Sequence, residues 1–223
     1  MKKHLIPAQE METELRVANS RFISSIKPVF SREDAESYLQ DIRGRYPDAT
    51  HHVPAYLVGH GASVLAHTSD DGEPSGTAGR PALAVLKGSG LGDTALVITR
   101  YFGGTKLGTG GLVKAYGDAA RKAIQAVPKA EKIRVNLVKI ILAYPFYDQV
   151  TQRLSVQGGI IKDQEFTSHV EIFCQLPADN MDTYQQMLNE ITSGQAELIV
   201  VERDQSAFLP LSDRSQKEAG GKK

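Results

Sequence analysis

Residues 94–127 constrain the fold more than any other stretch of this chain. The run 94–102 (TALVITRYF) is rich in β-branched, aliphatic and aromatic side chains and predicts a strand. Five glycines follow within nine positions: Gly103, Gly104, Gly108, Gly110 and Gly111. Then Leu112, Val113, Tyr116, Ala119, Ala120, Ala123, Ile124 and Val127 recur at the helical period, predicting a helix from about Gly111 to Val127. Asp118 stands four residues from both Lys114 and Lys122, so the opposite face is solvated and charge-paired. A strand feeding a glycine loop and then a helix aims backbone N–H groups and the positive helix end at one spot, which suits an anion. Arg100 and Lys106 add positive charge there. The known phosphate loops do not match. Gly103 and Gly108 have Walker spacing, but Thr109 occupies the lysine position, and Val113 replaces the last glycine of the dinucleotide pattern. The same glycines equally suit close packing of two backbones where the loop crosses the helix, and both readings stand on the sequence.

A second loop has a comparable density of special residues. Residues 69–81 (SDDGEPSGTAGRP) hold Asp70, Asp71 and Glu73 among glycines and hydroxyls, including Thr77, with Arg80 at the end. Ordering such a loop is entropically costly, so something must fix its shape. Three readings remain open. Asp and Ser side chains can bond the loop's own N–H groups. The loop can contact a ligand or RNA. The carboxylates can hold a hard cation, although the calcium-loop spacing is missing and adjacent Asp70 and Asp71 do not readily face one ion.

Around these segments the chain reads as α+β. Residues 13–27 predict a hairpin turning at Ala18-Asn19-Ser20. Ser31 predicts an N-cap, with Glu33 and Asp34 in the first turn of a helix that runs to about Arg45 and buries Ala35, Tyr38, Leu39 and Ile42. Residues 52–58 predict a strand that Pro54 assigns to an edge or an irregular position, and 64–68 a weaker strand. Pro81 starts a short apolar helix to Lys87, and residues 128–131 predict a linker. Residues 134–143, 146–157, 159–166, 168–176, 179–192 and 196–203 then predict the order βαββαβ, the ferredoxin-like arrangement. Gly158-Gly159 closes the first of its helices and Asp179 caps the second. Residues 207–223 predict a disordered tail.

Charge and composition exclude several function classes. Of the chain's 223 residues, 41% are hydrophobic and 23% charged, ordinary for a globular protein. No apolar run approaches the roughly 20 residues of a membrane span, and no apolar core follows Lys2 and Lys3, so neither a membrane segment nor a secretory signal is expected. Cys174 is the single cysteine, which excludes an internal disulfide and any multi-cysteine metal site; a cytoplasmic protein is expected. Cys174 lies in an apolar strand and reads as an inert core thiol. His51, His52, His60 and His67 cluster in sequence without metal-ligand spacing, and no nucleophile elbow occurs. No metal, cofactor or catalytic residue is therefore assigned. The basic and acidic residues balance at 26 each but are unevenly placed: residues 1–136 carry 18 basic against 14 acidic, and residues 137–206 carry 4 against 10. That asymmetry is compatible with a polyanion meeting the first domain but too small to establish one, and ordinary variation between two solvated surfaces accounts for it more readily.

The segments SDDGEPSGTAGRP and RYFGGTKLGTGGLVKAYG resemble the paired signature of the YigZ/IMPACT family. Ser20-Arg21-Phe22, residues 46–52 (YPDATHH) and Gly88-Ser89-Gly90 support the resemblance, which extends over about residues 5–205. The resemblance is to the bacterial members, which lack the extra N-terminal RWD domain of the eukaryotic ones. The resemblance implies a ribosomal protein S5 domain 2-like fold over residues 1–136. It also implies a ferredoxin-like fold over 137–206, similar to the last domain of elongation factor G. Eukaryotic members regulate translation initiation, so a translation-associated role is implied, with no catalytic residue carried over.

Two functional expectations follow. In the first, the chain binds RNA or the ribosome as a monomer: Arg80, Arg100, Lys106 and Lys114 meet phosphates, the backbone of Gly103, Gly104, Gly108, Gly110 and Gly111 frames the contact, and Tyr101 stacks on a base. The acidic second domain keeps the contact on one face or meets a protein. In the second, an enzyme or small-ligand binder holds an anion on the glycine loop, with Asp70, Asp71 or Glu73 acting as a base or through a metal.

Overall fold

The computed structural model describes residues 4–210 of the chain. It divides into two compact units, which among the described residues are 4–131 with 209–210, and 132–208.

The first unit is built on a five-stranded antiparallel sheet. Its strands are β2 (Met11–Val17), β3 (Ser20–Pro28), β6 (Thr94–Tyr101), β4 (His51–Val58) and β5 (Leu65–Thr68), side by side in that order. Alternation along β4 and β6 gives the sheet two buried faces. Val53, Ala55, Leu57, Leu96 and Ile98 pack under α2 (Gly79–Gly88) and α3 (Gly108–Ala126). Tyr56, Ala95 and Val97 pack under α1 (Arg32–Arg45). A short strand β1 (Leu5–Pro7) pairs antiparallel with residues 129–131 at the start of β7 (Lys129–Leu142).

Local chemistry explains most of these elements. Ala18 and Asn19 both have positive φ, +44° and +69°, the geometry of the tight two-residue turn that matches strand twist. Ser31 caps α1 by accepting from the Asp34 N–H at 3.0 Å, and the Asp34 carboxylate accepts from the Phe30 N–H at 3.1 Å. Ala35, Tyr38 and Ile42 are fully buried on the inner face of α1.

Pro54 corrects the sequence expectation of an edge strand. β4 lies inside the sheet, between β6 and β5. The Pro54 carbonyl accepts from Thr68 Oγ1 at 2.7 Å and from the Ser69 N–H, on the side away from β6. In an antiparallel strand the N–H and C=O of a residue point the same way, so the donor that proline lacks is missing only where β5 has ended.

In the second unit, β7 is followed by α4 (Tyr147–Val156), β8 (Ile160–Phe166), β9 (Val170–Pro177), α5 (Met181–Thr192) and β10 (Glu197–Pro210), the βαββαβ order. The strands lie in the order β10, β7, β9, β8. Val138, Ile140, Val170, Ile172, Cys174 and Leu176 alternate inward against Val150 and Leu154 of α4 and Tyr184 and Leu188 of α5. The Gly159 N–H bonds Leu154 O at 2.8 Å and closes α4.

Four expectations change. Residues 128–131 are not a linker, because β7 already begins at Lys129 and is held by β1. The helix after the glycine loop begins at Gly108, three residues earlier than its apolar pattern, because glycines carry no periodic signal. Asp179 does not cap α5. It accepts from Arg134 at 2.9 Å, and Asn180 is the N-cap with no side-chain bond. Residues 207–210 belong to β10, and the remainder of the expected tail lies outside the described residues. No helix among the described residues is long and apolar enough to cross a membrane.

Candidate functional site

The loop 69–78 between β5 and α2 is held by its own carboxylates. Asp70 Oδ2 accepts from the Gly76 N–H at 2.7 Å, and Oδ1 accepts from Ala78 at 3.1 Å and Gly79 at 2.8 Å. Asp70 thereby satisfies donors at the uncapped start of α2. Burial pulls its carboxyl upward, but the three N–H bonds and the nearby Arg80 outweigh it and hold the group below its ordinary value. Asp71, at φ +46°, faces the other way. Its carboxylate takes Arg43 Nη2 and the His52 N–H, both at 2.6 Å, and its carbonyl lies 2.7 Å from His51 Nδ1. Thr77 is buried and donates to the Pro74 carbonyl at 2.7 Å.

Glu73 points into the unit. Its Oε1 accepts from Arg100 Nη1 at 2.6 Å and from the Tyr116 hydroxyl at 2.7 Å, with His51 Nε2 at 3.9 Å. Arg100 comes from the end of β6 and Tyr116 from α3, so one carboxylate bolts the two glycine-rich segments together. Burial and the Glu73 carboxylate push the Tyr116 phenol far above its ordinary range, which keeps it a neutral donor. Arg100 Nη2 adds a bond to Ser20 Oγ at 3.3 Å, and its guanidinium lies 5.5 Å from the ring centres of Phe22 and Phe102. Arg100 is 5% exposed, so it does not lend its charge to an external phosphate as the sequence led us to expect; it is the internal partner of Glu73.

The glycine loop is also pinned. The Gly103 N–H donates to Ser20 Oγ at 3.3 Å, and a Cβ on Gly103 would run into the Asn19 carbonyl and the Ser20 nitrogen. The close backbone approach expected here is real, but the partner is the β2–β3 turn rather than α3. Tyr101 is engaged as well: its hydroxyl donates to Asp48 at 2.8 Å, and Arg21 lies over its ring at 5.7 Å.

The surface left to solvent is narrower than the motif. Gly104, Lys106, Gly108 and Gly110 are exposed along the loop and first turn of α3, Gly111 is half-buried, and Lys114 is exposed one turn on. Lys106 and Lys114 have no hydrogen-bond or ion-pair partner among the described residues. Leu107, the N-cap of α3, offers no side-chain bond to the first turn. Phe102 is 47% exposed and Val113 42%. Arg80, at the start of α2, is exposed beside Gly76. Tyr116, Arg43 and Phe102 escaped the sequence reading. The helical period places Tyr116 inward but cannot say that its hydroxyl meets Glu73. Strand alternation puts Phe102 on the same side as the buried Arg100, and its exposure comes from its place one residue past the end of β6, which no local pattern marks.

The other candidates divide. His51 and His52 point to opposite faces, with His52 Nε2 2.9 Å from Tyr46 O under α1. His67 stacks on Tyr56 and His60 on His4. Among the described residues no group of three His, Cys, Asp or Glu side chains converges on a metal-sized site.

The Impact N-terminal domain matches residues 18–124, which hold both loops and every residue of the bolt. A domain of unknown function (DUF1949) matches residues 140–195. IMPACT family member YigZ of Escherichia coli is 34% identical over 91% of this chain and 100% of its own length. The chain belongs to the IMPACT family. The IMPACT family member YvyE of Bacillus subtilis is 32% identical over 84% of the chain and 86% of its own length. A crystal structure described as that of a hypothetical protein superposes with a TM-score of 0.59 at 33% identity, covering 91% of this IMPACT chain and 98% of its own.

Proposed function

We propose that this IMPACT chain is a translation-associated regulatory protein that binds RNA, free or in the ribosome, through the loop and first turn of α3. One observation carries the reading. Lys106 and Lys114, exposed and unpaired among the described residues, flank a helix start with no side-chain cap, near the exposed ring of Phe102 in the chain. Ammonium groups and open N–H groups suit phosphate oxygens, and a free aromatic face suits an unstacked base. Phe102, exposed with Arg100 on one side of its ring, takes the stacking role that the sequence suggested for Tyr101, which is half-buried and bonds Asp48 through its hydroxyl. Arg80 joins the contact from α2. Asp70, Asp71 and Glu73 of the neighbouring loop each bind protein donors, which favours the RNA reading over an enzymatic one.

The same proposal takes the first unit as ribosomal protein S5 domain 2-like, the second as ferredoxin-like, and the protein as a cytoplasmic monomer. The acidic second unit is available to a protein partner. Fluorescence anisotropy with a labelled single-stranded RNA tests the reading. Binding by the parent chain, lost in a folded Lys106→Glu, Lys114→Glu variant, is expected. Equal binding by the variant contradicts it.

A further inference from the structure

A cavity of about 450 Å3 opens in the first unit, away from both signature loops, between the end of β4, β5 and the segment joining α2 to β6. Its size falls within the range of small-molecule sites. Its floor is apolar, from Leu57, Val64 and Ala66, and its polar side chains among the described residues are His4, His60 and Lys87, with no carboxylate among the described lining residues.

The polar wall is built. The rings of His4 and His60 stack with centres 4.5 Å apart and planes within 9°. His60 is held on both edges, with Nε2 3.3 Å from Leu5 O and Nδ1 3.6 Å from the buried Asp93 carboxylate, whose other oxygen takes the Gly59 N–H at 2.6 Å. Gly92 lets the His60 ring seat against the backbone, since a Cβ there would come within 2.6 Å of the ring. His60 is thus a fixed wall. His4 and Lys87 have no hydrogen-bond partner among the described residues and supply the free donors.

We propose that this cavity binds a small carboxylic acid with a compact apolar body. The carboxylate meets the Lys87 ammonium and the His4 ring, and the apolar body lies on Leu57, Val64 and Ala66. Donors without a facing carboxylate select an anion, and the aliphatic floor selects an apolar substituent over a bare inorganic ion.

The histidine ring protons of the full chain, followed by NMR, test this directly, with the His4 signals assigned by their absence in a His4→Gln variant. Titration with butyrate is expected to move the His4 and His60 signals saturably. A folded Lys87→Met variant is expected to bind about tenfold more weakly, while the Lys106→Glu, Lys114→Glu variant binds as the parent does. Butylamine and inorganic phosphate are expected to produce no saturable movement. The proposal is overturned if butyrate moves neither ring, if butylamine or phosphate matches it, or if Lys87→Met leaves its affinity unchanged.

Discussion

Glu73 and Arg100 form a buried ion pair at 2.6 Å, with their side chains 3% and 6% exposed, and this pair locks the loop before α2 to the strand that feeds the glycine loop. Breaking such a pair from one side leaves a charge without compensation in a dry site. Glu73→Ala should therefore destabilise the protein by about 3–5 kcal/mol. Tyr116→Phe removes one bond to the same oxygen and should cost only about 1 kcal/mol. Urea denaturation of the two variants checks the order. The double variant Glu73→Leu, Arg100→Met should recover much of the loss, because it removes both charges together.

Gly103→Ala tests the second fastening. The added methyl has no room against Asn19 and Ser20, so the loop or the hairpin turn must shift. The cost should be about 1–3 kcal/mol. A folded Gly103→Ala protein should also lose RNA affinity, because the path of the backbone into α3 changes with it. Thermal melts and the anisotropy assay read the two effects separately.

Asp70 gives a pH signature. Its folded carboxyl lies below the ordinary aspartate value of about 3.9. A depressed carboxyl contributes stability that is fully present above the unfolded value and is lost as pH falls through the folded one. Asp70→Ala should cost about 1–2 kcal/mol at neutral pH, in line with the loss of a helix cap. The gap between parent and variant should close as the pH drops below about 3.9. Stability curves measured from pH 7 to pH 2.5 would show it, and a gap independent of pH would count against the carboxylate's role.

Cys174 is buried between the sheet and the helices of the second unit, and burial pushes its thiol up to about 12. At pH 8 the native thiolate should be on the order of a thousandfold scarcer than in the unfolded chain. Iodoacetamide should therefore label the protein only through unfolding, and labelling rates in increasing urea should follow the unfolded fraction.

The legibility of this fold in its sequence tracks how local each determinant is. The Ala18-Asn19 turn, the Ser31 cap and the inward face of α1 are set by neighbours within a few residues, and each forms as its sequence implies. The start of β7 depends on β1, more than 120 residues away in the chain, and no local pattern reports that pairing. Pro54 misled for the same reason, because its tolerance inside the sheet depends on where β5 ends. In the candidate site, residue types revealed that the two loops are unusual but not which charges face inward. Arg100 and Lys106 look alike as cations in sequence. The strand buries one against Glu73 and the loop leaves the other in water.

Phosphate contact by Lys106 and Lys114 is tested most directly by the salt dependence of RNA binding. Each lost phosphate contact on a single strand should lower the slope of log K against log salt by about 0.7. The Lys106→Gln, Lys114→Gln variant should therefore bind more weakly with a slope shallower by roughly 1.4, while Phe102→Ala should lose about 1–3 kcal/mol of affinity with the slope intact. A parent chain that binds no RNA at low salt, or a double variant with an unchanged slope, would contradict the assignment of this surface.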